Sequence, residues 1–426
     1  MSRKLKHRGA LAGALVTLFV LGTVTAGVPA AHADQVRDAQ YWLANHGIAD
    51  AWQHSTGAGT TIAIIDTGIA DGPAEFAGAV VAGHDASGVG SANGRTPVGG
   101  AGENPHGSWV ASLAAGRGNG DGNGVIGAAP GASLISISVG FGSSGSTIPF
   151  ADQIADAIHF AVDNGADVIN MSLTTNTKDW PESWDEAFTY AFENDVIVVA
   201  AAGNRGSGTE EVGAPATIPG VLVVAGVDSS GKASYDASSK GITLSVAAPS
   251  EELVGASPDG SYVQWAGTSG ASPIVAGVAA LVRARYPNMD AANVINRIIR
   301  TASPVPGETL PNAIYGHGYL NALAAVTAQV PAVEENPMGD LAAWITQHRK
   351  AKATPESIPQ DAGSIPEVPP LDPVAGGSNP FLPTRDTLLY VSLPLALFLG
   401  TGTLLVLGAI GATRHLKRTA RRQWPV

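Results

Sequence analysis

Four residues of this chain could carry chemistry together. Asp66 ends the run "TTIAIID", His106 stands in "NPHGSWVASLAAG", Asn204 closes "VAAAGN", and Ser269 lies in "GTSGASPIVAGVAAL". Singly, each has an ordinary explanation. Asp66 feeds a turn at Gly68, His106 sits at a helix start, Asn204 suits a turn, and Ser269 suits a helix N-cap. Together, in this order and each inside a small-residue turn, they are what acyl transfer needs. A serine hydroxyl is a weak nucleophile until a base takes its proton. A neutral imidazole does that near neutral pH. A buried carboxylate fixes the imidazole tautomer and stabilises the imidazolium. A side-chain amide stabilises the oxyanion. A helix entrance at Ser269 adds backbone N–H groups that favour negative charge. Ser272 and Pro273 read as first-turn residues of that helix, where a missing N–H costs nothing.

The elements that must hold these residues are legible as runs. Apolar segments at 60–66, 132–139, 166–173, 195–203 and 220–227 read as strands. "HGSWVASLAAG", "FADQIADAIHFAVDNG", "SWDEAFTYAFEN" and "MDAANVINRIIRTA" read as helices, as does the segment opened by Ser269. Near-continuous apolar strands alternating with helices imply an α/β domain with a mostly parallel sheet covered on both faces. Active sites in such sheets lie beyond the carboxyl ends of the strands, where Asp66 and Asn204 fall.

Composition narrows the function classes. The 426 residues include no cysteine, which excludes disulfides, a thiol nucleophile and a thiolate metal site. The net charge is −12, from 24 Lys and Arg against 36 Asp and Glu. Nine of those cations lie in residues 1–33 and 413–426, which hold no acid, so residues 34–412 carry 15 cations, 36 acids and a charge of −21. So acidic a body argues against nucleic-acid binding. Residues 1–33 have a basic start, an apolar stretch and an Ala31-His32-Ala33 end, the pattern of a signal peptide cut before Asp34. Residues 388–412 are uncharged and long enough to span a bilayer, and a basic tail follows. The expected organisation is therefore a signal peptide (1–33), a catalytic domain (34–328), a Pro-rich linker (329–386), one transmembrane helix (387–412) and a cytoplasmic tail (413–426). "GDLAAWITQHRKA" is expected to start the linker with a short helix. The catalytic domain should then lie outside the cell membrane, held by a single pass.

Over roughly residues 40–328 the chain resembles the subtilisin-like serine proteases. "IAIIDTGI" resembles the aspartate motif, "HGSWVAS" the histidine motif, "AAAGN" the oxyanion asparagine motif and "GTSGASPIVAGVAAL" the serine motif. "NGVIGAAPGASL" and "YGHGYLNALAA" match further family stretches. The order Asp, His, Ser is also that of subtilisin. The resemblance implies a three-layer subtilisin-like fold with a doubly wound sheet. It implies Asp66 as orienting acid, His106 as general base and acid, Ser269 as nucleophile, and Asn204 with the Ser269 N–H as oxyanion donors. Ser172, Leu173 and Thr174 fall on the family's substrate-flanking strand. No cofactor is required, and the substrate is a protein or peptide. The anchored architecture resembles the mycosins, subtilases associated with type VII secretion, which implies a secretion-complex partner. A catalytically idle scaffold within such a complex is the alternative. A lipase or esterase would instead carry Gly-x-Ser-x-Gly and the order Ser, Asp, His.

The chain departs from the family in several places. Trp109 stands where a second histidine is common. Ser172-Leu173-Thr174-Thr175 replaces Ser-Leu-Gly-Gly, so β-branched side chains should narrow the primary pocket. Only some 25 residues separate the expected cleavage from the first strand, too few for the usual pro-domain. Mycosin-type chains usually carry cysteines. "GRGNGDGNGVIG" offers Asn119, Asp121 and Asn123 as calcium candidates, since alternate oxygen ligands suit that ion. A plain Gly-rich turn explains the same residues.

Overall fold

The computed structural model describes residues 33–99, 104–120, 122–142 and 144–349. The sheet is parallel throughout and holds seven strands among those residues: β1 (Thr61–Asp66), β2 (Val80–Asp85), β3 (Ser133–Ser138), β4 (Val168–Met171), β5 (Ile197–Ala201), β6 (Leu222–Val227) and β7 (Leu244–Pro249). Their order is β2-β3-β1-β4-β5-β6-β7. β1 lies between β3 and β4, in register from Thr61↔Ser133 to Asp66↔Ser138 on one side and from Ile62↔Val168 on the other. The strand order reverses beside β1, which opens a crevice past its carboxyl end, where Asp66 sits.

Alternation along each strand feeds two cores. Ile62 and Ile64 of β1 join Val199 of β5 on one face, while Ala63 and Ile65 join Val198 and Ala200 on the other. The first face is covered by α4 (His106–Ala115) and α7 (Thr268–Arg285), the second by α5 (Phe150–Asp163) and α6 (Glu182–Glu193). Strands buried on both faces explain why their sequences read as unbroken apolar runs. Three short helices precede β1: α1 (Ala33–Asp38), α2 (Trp42–Asn45) and α3 (Ile48–Ala51). An antiparallel hairpin of β8 (Leu253–Ala256) and β9 (Tyr262–Trp265) leads into α7, and α8 (Ala291–Arg300) and α9 (Ala322–Thr327) follow.

From Thr268 to Arg283 of α7, every residue is buried except Ser269. A helix apolar on all sides belongs inside a domain. Its packing leaves no room for side chains at two positions. A Cβ on Gly277 would lie 2.6 Å from Ala128 Cβ, and one on Gly270 would lie within van der Waals radii of the Leu253 side chain. Pro273 is not a first-turn residue. The helix starts at Thr268, behind Gly267 with its φ of +147°, so Pro273 is its sixth residue. Among the described residues no helix is long and apolar enough to cross a membrane. The expected span at 387–412, the tail, most of the expected signal peptide and residues 350–386 of the expected linker lie outside them. The short helix expected near residue 340 forms as α10 (Leu341–His348), capped by Asp340. Arg349 just beyond it makes two bonds to the Asp185 carboxylate of α6, of 2.7 and 3.0 Å.

Candidate active site

Asp66 is fully buried, and its Oδ1 takes the Thr67 N–H at 2.7 Å. His106 opens α4 with about a quarter of its side chain exposed, and its Nδ1 lies 2.8 and 3.0 Å from the two Asp66 oxygens. That contact puts the proton on Nδ1 and leaves Nε2 free to accept one. Thr67 joins the two elements. Its hydroxyl receives the Gly107 N–H at 2.9 Å and donates to the Asn104 carbonyl at 2.9 Å. Gly107 must be glycine, because a Cβ there would lie 2.5 Å from the Gly68 carbonyl oxygen. Burial works to lower the His106 pKa; the Asp66 carboxylate, by its charge and its hydrogen bond, outweighs this and raises it above 6.5. Two indoles wall the imidazole. Trp265 meets it edge-on at 5.6 Å between centroids, and Trp109 lies at 6.4 Å. Trp109 Nε1 is tied to the Ser257 hydroxyl at 3.0 Å.

Ser269 is the second residue of α7, and its hydroxyl donates to the Ser172 carbonyl at 3.2 Å rather than to His106. Pro273 explains how the backbone at Ser269 is held. Lacking an N–H, Pro273 leaves the Ser269 carbonyl four residues earlier without its helical donor. The Ser172 hydroxyl supplies that bond at 2.8 Å, while accepting from Asn170 Nδ2 at 2.9 Å. Ser272 Oγ lies 3.0 Å from the same hydroxyl. Ser172 thus grips the nucleophile's backbone with its side chain and the nucleophile's hydroxyl with its carbonyl.

Asn204 follows β5, and its Oδ1 accepts from the Thr268 N–H at 2.9 Å and from the Thr268 hydroxyl at 3.0 Å. Two donors on one atom fix it as the oxygen. Nδ2 then has no acceptor among the described residues, and its N–H groups lie next to the start of α7, one residue from Ser269. Gly267 lets the amide approach, since a Cβ there would be 3.1 Å from Nδ2. Thr174 and Thr175 diverge. The Thr174 methyl lies 3.2 Å from where a Cβ on Gly203 would be, and its hydroxyl oxygen 3.1 Å from that of Gly213. It fills a slot between two glycines. The Thr175 hydroxyl instead bonds the Thr177 carbonyl at 3.0 Å. Leu173 is buried in the second core. Sequence reading assigned no role to Thr67, Thr268 or Asn170. Their only sequence signal is a hydroxyl or amide within two residues of a motif residue.

Two of the three calcium candidates are described, and each is engaged with a neighbour. Asn119 Nδ2 points to the Tyr262 hydroxyl at 3.4 Å, and the Asn123 carbonyl accepts the Asn119 N–H at 2.7 Å. Asp121 lies outside the described residues. Among the described residues no three His, Asp or Glu side chains are grouped to hold a metal.

With this geometry, comparison with known proteins is decisive. Residues 57–318 match the sequence profile of the subtilase family, peptidase S8. The chain belongs to the subtilase family. It is 37% identical over 306 residues to subtilisin DY of Bacillus licheniformis, covering 71% of this chain and 98% of that protein. It is 34% identical over 340 residues to mycosin-3 of Mycobacterium tuberculosis, covering 66% of this chain and 70% of that protein. The solved MycP3 protease from the type VII (ESX-3) secretion system superposes with a TM-score of 0.58 at 32% identity, over 68% of this chain and 88% of that one. This subtilase is therefore a subtilisin-like serine protease with mycosins among its relatives.

Proposed function

We propose that this subtilase is a serine endopeptidase that cuts exported proteins or peptides at the outer face of the cell membrane. The observation that carries the reading is the Asp66–His106 contact of 2.8 Å, which leaves Nε2 free to act as a base. Ser269 Oγ attacks the scissile carbonyl carbon and gives its proton to His106 Nε2. To do so, the hydroxyl swings away from the Ser172 carbonyl. The carbonyl oxygen becomes an oxyanion, held by Asn204 Nδ2 and the Ser269 N–H. His106 then hands its proton to the departing amine, and the acyl group stays on Ser269. Water, deprotonated by His106, hydrolyses that ester and restores the hydroxyl. Asp66 keeps Nδ1 protonated throughout and stays charged. No step needs a metal or a cofactor. Tethering by residues 387–412 and association with a type VII-like secretion complex are part of the proposal. Their support is the terminal apolar segment and the mycosin relatives.

The test is covalent labelling of the purified full chain with a fluorophosphonate. The wild type should be labelled, and Ser269→Ala should be neither labelled nor able to cleave peptides. Labelling that survives Ser269→Ala would overturn the assignment, and a folded wild type that never labels would favour the idle scaffold.

A further inference from the structure

The base and the nucleophile come from different elements. His106 opens α4 and Ser269 stands at the start of α7, and the Ser269 hydroxyl donates to the Ser172 carbonyl. Two indoles bridge these elements. Trp109 lies three residues after His106 on α4, on the same helix face. Trp265 ends β9, four residues before Ser269. The two indoles lie 5.7 Å apart between centroids, and the imidazole lies 5.6 Å from Trp265 and 6.4 Å from Trp109. The three rings close a triangle.

The indoles are not held alike. Trp109 Nε1 donates to the Ser257 hydroxyl at 3.0 Å, just past β8. Trp109 also abuts β8 itself, where a Cβ on Gly255 would be 2.7 Å from Trp109 Cβ and 2.9 Å from its Cγ. The Ala256 N–H, donating to the Ser112 hydroxyl at 3.3 Å, ties the same hairpin to α4. Trp265 Nε1, by contrast, is buried and has no acceptor among the described residues. Packing alone therefore orients the Trp265 ring, against Trp109 and against Gly270, where a Cβ would lie 3.2 Å from Trp265 Cη2. Gly270 directly follows the nucleophile.

We propose that Trp109 is a positioning residue for the peptidase reaction: pinned by Ser257, it orients Trp265, and the two rings fix the His106 imidazole relative to Ser269. This rests on His106 being the base of that reaction. Proton transfer from Ser269 needs hydrogen-bond reach, and a misplacement of about 1 Å can cost about 10²-fold in rate. Asp66 holds the imidazole at Nδ1 only. Bonds at one atom leave the ring able to tilt about it, and the indoles remove that freedom. They also keep water from the ring. Burial works to lower the His106 pKa against the raising effect of the Asp66 carboxylate, and these rings supply part of that burial.

Kinetics on a peptide amide, with fluorophosphonate labelling of the full chain, test this. Trp109→Ala should lower kcat and the labelling rate by about 10²-fold, with KM little changed. The acid limb of its kcat/KM should move to higher pH, because water reaching the imidazole removes part of the burial that holds the pKa down. Trp109→Phe keeps a ring and loses the N–H, and Ser257→Ala keeps the indole and loses its acceptor. Each should fall between the wild type and Trp109→Ala. Combined, they should cost no more than Trp109→Phe alone, since both break the same bond. If Trp109→Ala does not fold, these variants decide. A folded Trp109→Ala enzyme with the wild-type kcat and acid limb, wild-type rates in both milder variants, or additive losses in the combined one would overturn the proposal and leave the triad standing. A wild type that never labels would overturn both.

Discussion

At the residue scale, the site turns on which atom is free. Asn204 has its oxygen committed to Thr268 and its nitrogen uncommitted among the described residues. Asn204→Ala should therefore lower kcat by about 10²–10³, with the fold intact and KM little changed. That scale is the one known for the same kind of donor in subtilisin, a relative of this chain. Steady-state kinetics on a peptide amide checks it; an unchanged kcat would remove Asn204 from the oxyanion hole. His106 gives a pH prediction. Its raised pKa means that neutral, base-competent imidazole accumulates only above 6.5, so the acid limb of kcat/KM should lie above that value. The stability contribution runs the other way. A raised native pKa stabilises the fold fully below the unfolded value and is lost as pH rises through the native one. The His106→Gln variant should therefore lose stability relative to wild type at pH 5 more than at pH 9, as read by urea unfolding at the two pH values. The four motif residues were legible in the sequence because chemistry restricts their types and order. Thr67 and Thr268 were not, because a threonine becomes a positioning group only through partners distant in sequence. For Thr268 those partners are Gly203 and Asn204, more than sixty residues away.

At the element scale, Pro273 shows why sequence position misled. Proline in a "Ser-Pro" pair reads as a helix start, yet α7 begins five residues earlier at Thr268. The missing N–H is tolerated because β4's continuation brings the Ser172 hydroxyl to the orphaned Ser269 carbonyl. Ser172→Ala should therefore cost about 1–3 kcal/mol of stability, the range for stranding a buried polar partner. It should also lower kcat, since the nucleophile's backbone loses its anchor. Denaturant unfolding and kinetics on the same preparation check both, and an unaffected kcat would make the bond structural only. The strands at 60–66 and 195–203 were legible from unbroken apolar runs. β2 was not, because its "VVAGHD" is half-exposed at the sheet edge and carries charge. The strand after β4 yields a specificity prediction. Thr174 fills the slot between Gly203 and Gly213, on the stretch that follows Ser172. The wild type should favour small residues before the scissile bond and turn over Phe and Tyr poorly. Thr174→Gly should shift the profile toward larger residues by about 10–200-fold in kcat/KM, the worth of a pocket methylene or two. Thr175→Gly should not, since that hydroxyl faces Thr177. A peptide library profiled with all three proteins decides, and an aromatic preference in the parent would sink the idea.

At the scale of the whole molecule, the charge distribution and the two apolar terminal segments set the remaining expectation. The body between residues 34 and 412 carries −21, while the last fourteen residues carry five cations and no acid. Basic residues beside a span stay on the cytoplasmic side, so residues 413–426 should be inside and the protease domain outside. The described domain ends in α10, which Arg349 and Asp185 fasten to α6, with the Trp344 ring tilted against Trp180 at 4.5 Å between centroids. Cleavage should therefore begin beyond residue 349, in the stretch rich in Pro and Gly. Protease added to intact cells should release a soluble fragment that still labels with a fluorophosphonate, because Asp66, His106, Asn204 and Ser269 all lie upstream. Mass spectrometry of the fragment should place its C-terminus between residues 350 and 386. A tag fused after Val426 should stay protected until the membrane is broken. Digestion of that tag on unbroken cells would reverse the orientation. A fragment cut instead within residues 329–349 would show that α10 does not stay docked on α6 at the cell surface.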